Sequence, residues 1–123
     1  MAKKVLIVDD EANIVISLEF LMQQAGYMVD VARTGDEALH KVEHFVPDLV
    51  LLDVMLPEMS GHDICRDLRR DPSLSGVRVL MMTARGSAQD RRRAIDEGAD
   101  AFVTKPFDVK DLRAEVMRLL SLS

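Results

Sequence analysis

Two rhythms of apolar residues alternate along this chain. Short continuous runs, Val5-Leu6-Ile7-Val8 and Leu49-Val50-Leu51-Leu52 among them, are separated by stretches in which apolar residues recur every three or four positions. The first rhythm is that of a strand covered on both faces, and the second that of a helix with one buried stripe. The pair occurs five times. It predicts strands at residues 4–9, 28–32, 48–53, 77–83 and 101–104, each followed by a helix. The second run, Val29-Asp30-Val31-Ala32, alternates instead, which suits an edge strand with one wetter face.

The helices carry their own punctuation. Ile14, Val15, Leu18, Leu21, Met22 and Ala25 form the first inward stripe, stopped by Gly26. Thr34-Gly35-Asp36-Glu37 is a capping box for the second helix, which buries Ala38, Leu39 and Val42 before Pro47. Ser60 with Asp63 caps a third helix holding Ile64, Cys65 and Leu68. Ser87 with Asp90 caps a fourth, with Ala94 and Ile95 inward. Asp108 caps the fifth, whose stripe is Val109, Leu112, Val116 and Leu119. Strict alternation of strand and helix predicts an α/β fold, a five-stranded doubly wound parallel sheet with right-handed crossovers.

The chain's 123 residues suit a single domain, residues 1–123, with no linker, repeat or low-complexity segment inside it. With 48% hydrophobic and 30% charged residues it reads as globular, and its apolar runs are too short to span a bilayer. Met1-Ala2-Lys3-Lys4 leads straight into a strand, leaving no room for a signal peptide, and the single cysteine cannot close an internal disulfide. A cytoplasmic protein without membrane attachment is expected. A net charge of −5 argues against nucleic-acid binding by this domain. Arg85, Arg91, Arg92 and Arg93 read as a solvated helix face.

Chemistry concentrates where the strands end. The first run stops at Asp9-Asp10, the third at Asp53, the fourth at Thr83-Ala84 and the fifth at Thr104-Lys105-Pro106. In doubly wound sheets ligands bind beyond the carboxyl ends of the strands. Three carboxylates brought together there repel one another and call for a cation. A hard divalent ion such as Mg²⁺ accepts carboxylate oxygens while ligating a phosphate, and a lysine and a hydroxyl can hold phosphoryl oxygens. No Ser-His or Cys-His pair of an acyl-transfer enzyme accompanies them.

These residues, together with Pro57 and Gly61 after the third strand, resemble the receiver domain of two-component response regulators over essentially the full length. The resemblance implies a flavodoxin-like (βα)5 sheet of strand order 2-1-3-4-5. It implies that Asp53 is a phosphoacceptor fed by a histidine kinase or histidine phosphotransfer protein, with Lys105, Thr83 and Ala84 in the same site. Asp10, Asp53 and the backbone carbonyl of Met55 would ligate Mg²⁺, with Asp9 acting through water. Lys105 would pair with Asp53 and then with the phosphate. Thr83 would follow the phosphate inward and Phe102 would rotate with it, changing the surface of the fourth helix, fifth strand and fifth helix. Lys105-Pro106 is expected to be cis, and Met55 and Arg85 to border the hydrolytic water and set the phosphoryl lifetime. Such a domain is a switch rather than an enzyme with a separate substrate. It would act on a downstream protein or a fused output domain, as a monomer or a weak phosphorylation-dependent dimer. Ala101 and Glu115 stand where DNA-binding relatives would carry an acid and an arginine at the dimer face.

The competing readings are a Mg²⁺-dependent phosphohydrolase, a receiver-like module that never carries phosphate, and a flavodoxin-type cofactor binder. The phosphohydrolase would need an acid-base carboxylate near Met55. The acids would repel the cofactor's phosphate. Cys65 is expected to be a small buried hydrophobe, and the eight methionines to fill an adaptable core. His40, His44 and His62 are expected to be exposed, with no cysteine or carboxylate set that would make any of them a metal ligand.

Overall fold

The computed structural model describes residues 2–84 and 86–121. Five strands, β1 (Lys4–Val8), β2 (Met28–Ala32), β3 (Leu49–Asp53), β4 (Arg78–Thr83) and β5 (Ala101–Thr104), alternate with five helices. The helices are α1 (Ala12–Gln24), α2 (Gly35–Phe45), α3 (Gly61–Arg70), α4 (Ala88–Asp96) and α5 (Val109–Ser121). A 3₁₀ turn at Pro72–Leu74, not foreseen in the sequence pattern, carries the chain from α3 toward β4. All pairings are parallel and the order is β2-β1-β3-β4-β5.

The period of two along each strand sorts the core into two layers. Leu6 and Val8 of β1 face α2, α3 and α4, packing with Val42, Ile64 and Leu68. Val5 and Ile7 face α1 and α5, packing with Leu18, Met22 and Val116. Each fully buried aliphatic side chain is worth about 1.5–3 kcal/mol, so the continuous runs in β1 and β3 anchor the sheet from both sides. β2 lies at one edge with only Ala32 fully buried, as its alternation predicts.

The caps form as expected. The side chains of Thr34, Ser60 and Ser87 accept hydrogen bonds from the backbone N–H groups of Glu37, Asp63 and Asp90, and Asp108 accepts from Lys110 and Asp111. Gly26 closes α1 with φ of 91°, a left-handed conformation that glycine adopts without penalty.

Some side chains depart from the expected stripes. Ala25 is exposed because it is the C-cap of α1, past the last inward-facing turn. Ile95 is exposed because Ala94 takes the inward direction of the short helix α4 and its neighbour is turned away by a helical step. Val109 opens α5 in the solvent, and burial starts one turn later at Leu112. Met22, Met81 and Met82 are core, but Met28, Met55 and Met117 are exposed at the start of the edge strand, on a loop and on the outer face of α5. His62 is buried rather than exposed, because it occupies the first turn of α3 where that helix meets the end of α4. Cys65 is buried as expected, and burial pushes its thiol up to about 11, which leaves it an unreactive packing group.

Candidate functional site

Register brings the strand ends together. Val8 lies opposite Leu52, Asp53 opposite Met82, and Thr83 opposite Thr104, so the residues that follow or end these strands share one rim of the sheet. Asp53 is the last residue of β3 and only 3% exposed. Asp9 follows β1 and is fully buried, whereas Asp10 is exposed. Carboxylate oxygens of these three residues lie within 4.8 Å of one another.

Backbone geometry fixes each acid. One Asp9 oxygen accepts from the Glu11 N–H at 2.9 Å, and an Asp53 oxygen accepts from the Met55 N–H at 3.2 Å. Gly61 explains why the loop after β3 can close so tightly. A Cβ there would stand 2.4 Å from the Asp53 carbonyl oxygen and 2.9 Å from the Val54 Cα, so only glycine lets α3 begin against the backbone of Asp53. Its N–H donates to the Val54 carbonyl at 2.9 Å.

Lys105 enters from the far end of the chain. The Lys105 N–H donates to the Thr83 carbonyl at 2.7 Å, and Lys105-Pro106 is cis. Its Nζ donates to Asp9 at 2.8 Å and to Glu11 at 3.4 Å, and stands 3.5 Å from Asp53. The expected pairing with Asp53 is therefore secondary here: the ammonium goes first to the fully buried carboxylate, where an uncompensated charge would cost most. Glu11, which no strand-end pattern marks, joins the cluster because the turn after β1 brings it to Lys105.

Electrostatics follow from this arrangement. Burial raises the Asp53 carboxyl to about 6, and the Asp9 charge pushes in the same direction against the pull of Lys105. Burial alone would lower Lys105, but its hydrogen bond to Asp9 and the charges of Asp53, Asp9 and Glu11 outweigh it, leaving the ammonium above its ordinary value. Asp53 is thus ionised at neutral pH, in a pocket holding more negative charge than one lysine balances.

Thr83 is buried at the end of β4 and Ala84 is exposed just beyond it. A cleft of about 240 Å³ opens beside Thr83, bordered by Met55, His62, Arg93 and Phe102. Phe102 is 4% exposed, and the guanidinium carbon of Arg91 lies 5.4 Å from its ring centroid. The aromatic already faces inward. Met55 is 67% exposed on the loop at the mouth of the site. Arg85 lies outside the described residues.

The far wall of the cleft also holds a contact that no motif announced. His62 Nδ1 lies 2.9 Å from Glu97 Oε1, close in distance without an in-line hydrogen bond, and Arg93 and Arg66 reach the same carboxylate. Burial lowers the imidazole, against the opposing pull of Glu97. Arg69 ties the neighbouring edge by bonding the Gly98 and Val77 carbonyls and Asp100.

A family model for the response regulator receiver domain matches residues 5–117. The chain belongs to the response-regulator receiver family. Receiver domains are regulatory domains rather than enzymes in the ordinary sense. The alkaline phosphatase synthesis transcriptional regulatory protein PhoP of Bacillus subtilis is 41% identical over 123 residues, 100% of this chain and 50% of that protein. A receiver domain of a signal transduction histidine kinase from Syntrophus aciditrophicus superposes with a TM-score of 0.89 at 36% identity, covering 98% of this chain and 91% of that one. A CheY-like receiver domain protein from Methanospirillum hungatei gives 0.90 at 30% identity, covering 98% and 95%. The chain spans about half the length of the curated relatives it matches. Among the described residues, no helix of this receiver domain is long and apolar enough to cross a membrane.

Proposed function

We propose that this receiver domain is a phosphorylation-activated switch in which Asp53 accepts a phosphoryl group from a phosphohistidine of a kinase or phosphotransfer protein. The observation that carries the reading is the buried Asp53, held against two further carboxylates with one ammonium at 3.5 Å. Such a group is a nucleophile whose negative surroundings need a cation and whose neighbouring lysine can receive an anion.

The three acids fit Mg²⁺ by their chemistry. They are hard oxygen donors, clustered on one rim, with Asp10 open to solvent and Asp9 enclosed. Asp10, Asp53 and the Met55 carbonyl would hold the ion, with Asp9 behind them. Bound there, the ion would neutralise the acids and draw phosphoryl oxygens toward the site.

This chain's own residues do the remainder. An Asp53 oxygen forms a bond to phosphorus as the bond from phosphorus to the donor's histidine nitrogen breaks, and that nitrogen keeps the electron pair. Lys105 redistributes its hydrogen bonds from Asp9 and Glu11 toward the new phosphoryl oxygens. The Thr83 hydroxyl turns to one of those oxygens. Because Phe102 is already inward, the response it transmits is a repacking beneath Arg91 and α4 rather than a swing from solvent, altering the surface of α4, β5 and α5. A downstream protein or an attached output domain would read that surface.

Incubation with a small phosphodonor and Mg²⁺ should add one phosphoryl mass to the intact protein, and none to Asp53→Asn. Stoichiometric labelling of that variant would overturn the assignment.

A further inference from the structure

α2 carries a pair of histidines that the phosphoacceptor site does not use. His40 and His44 are four residues apart, one helical turn, and both are exposed on the side opposite the buried Ala38 and Val42. Their ring centroids are 4.4 Å apart with 35° between the planes. His44 Nδ1 stands 2.9 Å from the His40 carbonyl oxygen. A carbonyl only accepts, so this contact places the proton on Nδ1 and leaves Nε2 of His44 as the nitrogen with a free lone pair. Histidine ligands of metals are commonly oriented in this way, with one ring nitrogen tied to a backbone carbonyl and the other given to the ion.

We propose that His40 and His44 form a second cation site on this domain, for a borderline transition ion of the Zn²⁺, Ni²⁺ or Cu²⁺ class, with water completing the coordination. Two imidazoles select such ions over Mg²⁺, which prefers oxygen. Cis ligands on one ion need nitrogens roughly 3 Å apart, given metal–nitrogen distances near 2.0–2.1 Å. Rings tilted by 35° with centroids 4.4 Å apart can reach that separation by rotation of the exposed His40 side chain, which leaves the His44 contact and the helix in place. The net charge of −5 favours cation approach.

Its place in the fold keeps it apart from the acids. The strands are parallel and the helices return against them, so the end of α2 lies toward the amino-terminal edge of the sheet, whereas Asp9, Asp10 and Asp53 sit at the carboxyl edge. The two ligands span the last turns of α2 before Val46, whose left-handed backbone ends the helix. An ion held between them would pin those turns against fraying, since it binds the folded helix and has no equivalent chelate in the unfolded chain.

The full chain, with Mg²⁺ in large excess to occupy the acids, is titrated with Zn²⁺ at pH 7.5 and followed by backbone amide resonances and by the thermal midpoint. The expected result is saturable shifts centred on residues 40–46 and a raised midpoint. His40→Ala or His44→Ala should each weaken binding at least tenfold. Both alanine variants place a strong helix former on an exposed face, so their folding is retained. Shifts confined to the loops around Asp10 and Asp53, unchanged affinity in both variants, or no saturable binding at millimolar ion would each overturn the proposal.

Discussion

Asp53 carries its charge at a disadvantage. Its carboxyl is raised from an ordinary 3.8 to about 6, so the folded protein holds that proton more tightly than the unfolded chain does. Above about pH 6 the ionised form costs the metal-free fold up to about 3 kcal/mol, and the cost is relieved as pH falls through the interval between the two values. With a chelator present, Asp53→Asn should therefore unfold at higher urea than the native sequence at pH 7. At pH 5 the gap should narrow. Equal gaps at both pH values would count against the electrostatic account. Mg²⁺ at saturating concentration should shrink the gap at pH 7, because the cation removes the repulsion that asparagine removes. Met55 makes a second residue-scale claim. Met55 is exposed beside Asp53, the proposed phosphoacceptor, and its thioether cannot orient a water for attack on phosphorus as an amide would. Met55→Asn should shorten the phosphoryl half-life several-fold in a decay assay at fixed Mg²⁺, and an unchanged or longer half-life would remove Met55 from that role.

At the scale of elements, the start of α3 is the tightest joint in the molecule. Gly61→Ala would put a methyl group 2.4 Å from the Asp53 carbonyl oxygen, a backbone atom that cannot step aside as a flexible side chain would. A loss of about 1–3 kcal/mol is expected in denaturant unfolding, with slower phosphorylation because β3's last residue is displaced. Wild-type values for both would show that the loop relaxes elsewhere. The strands and helices themselves were legible because their hydrophobic periods differ and their caps are spelled out locally: Thr34, Ser60 and Ser87 each do what their spacing to the next polar residue implies. What could not be read was the facing between helices. Histidine is ordinarily a surface residue, and the burial of His62 follows from the approach of Glu97, the C-cap of α4, which no local pattern announces. The preference of Lys105 for Asp9 over Asp53 is similarly a matter of ångströms between loops, below the reach of a strand-end pattern. Arg85 remains a sequence reading alone.

Across the whole molecule, the proposed switch requires coupling between the rim that holds Asp53 and the surface of α4, β5 and α5, and Thr83 is a buried residue that lines the cleft shared with Phe102. Coupling is a difference in interaction between two states, so it has to appear as a change that one state makes and the other does not. Beryllofluoride with Mg²⁺ should move amide resonances of α4 and β5 in the native sequence. In Thr83→Ala the same reagent should still perturb the residues around Asp53 while the distant shifts fall by more than half. Full retention of the distant shifts would mean that the message travels by another route.

The ammonium that bonds Asp9 comes from a residue 96 positions later, the one that follows the strand closing the sheet at its far edge. Contacts of such separation are among the last to be gained when a chain folds, since the intervening loop must be closed before they repay its entropy. A growing chain that has emerged only as far as β4 already possesses all three acids but not their counter-charge. On the proposed function, an unfinished copy lacking β5 and Lys105 would hold its acids without the group that is to receive a phosphoryl anion, so competence to be phosphorylated would arrive only with the last strand.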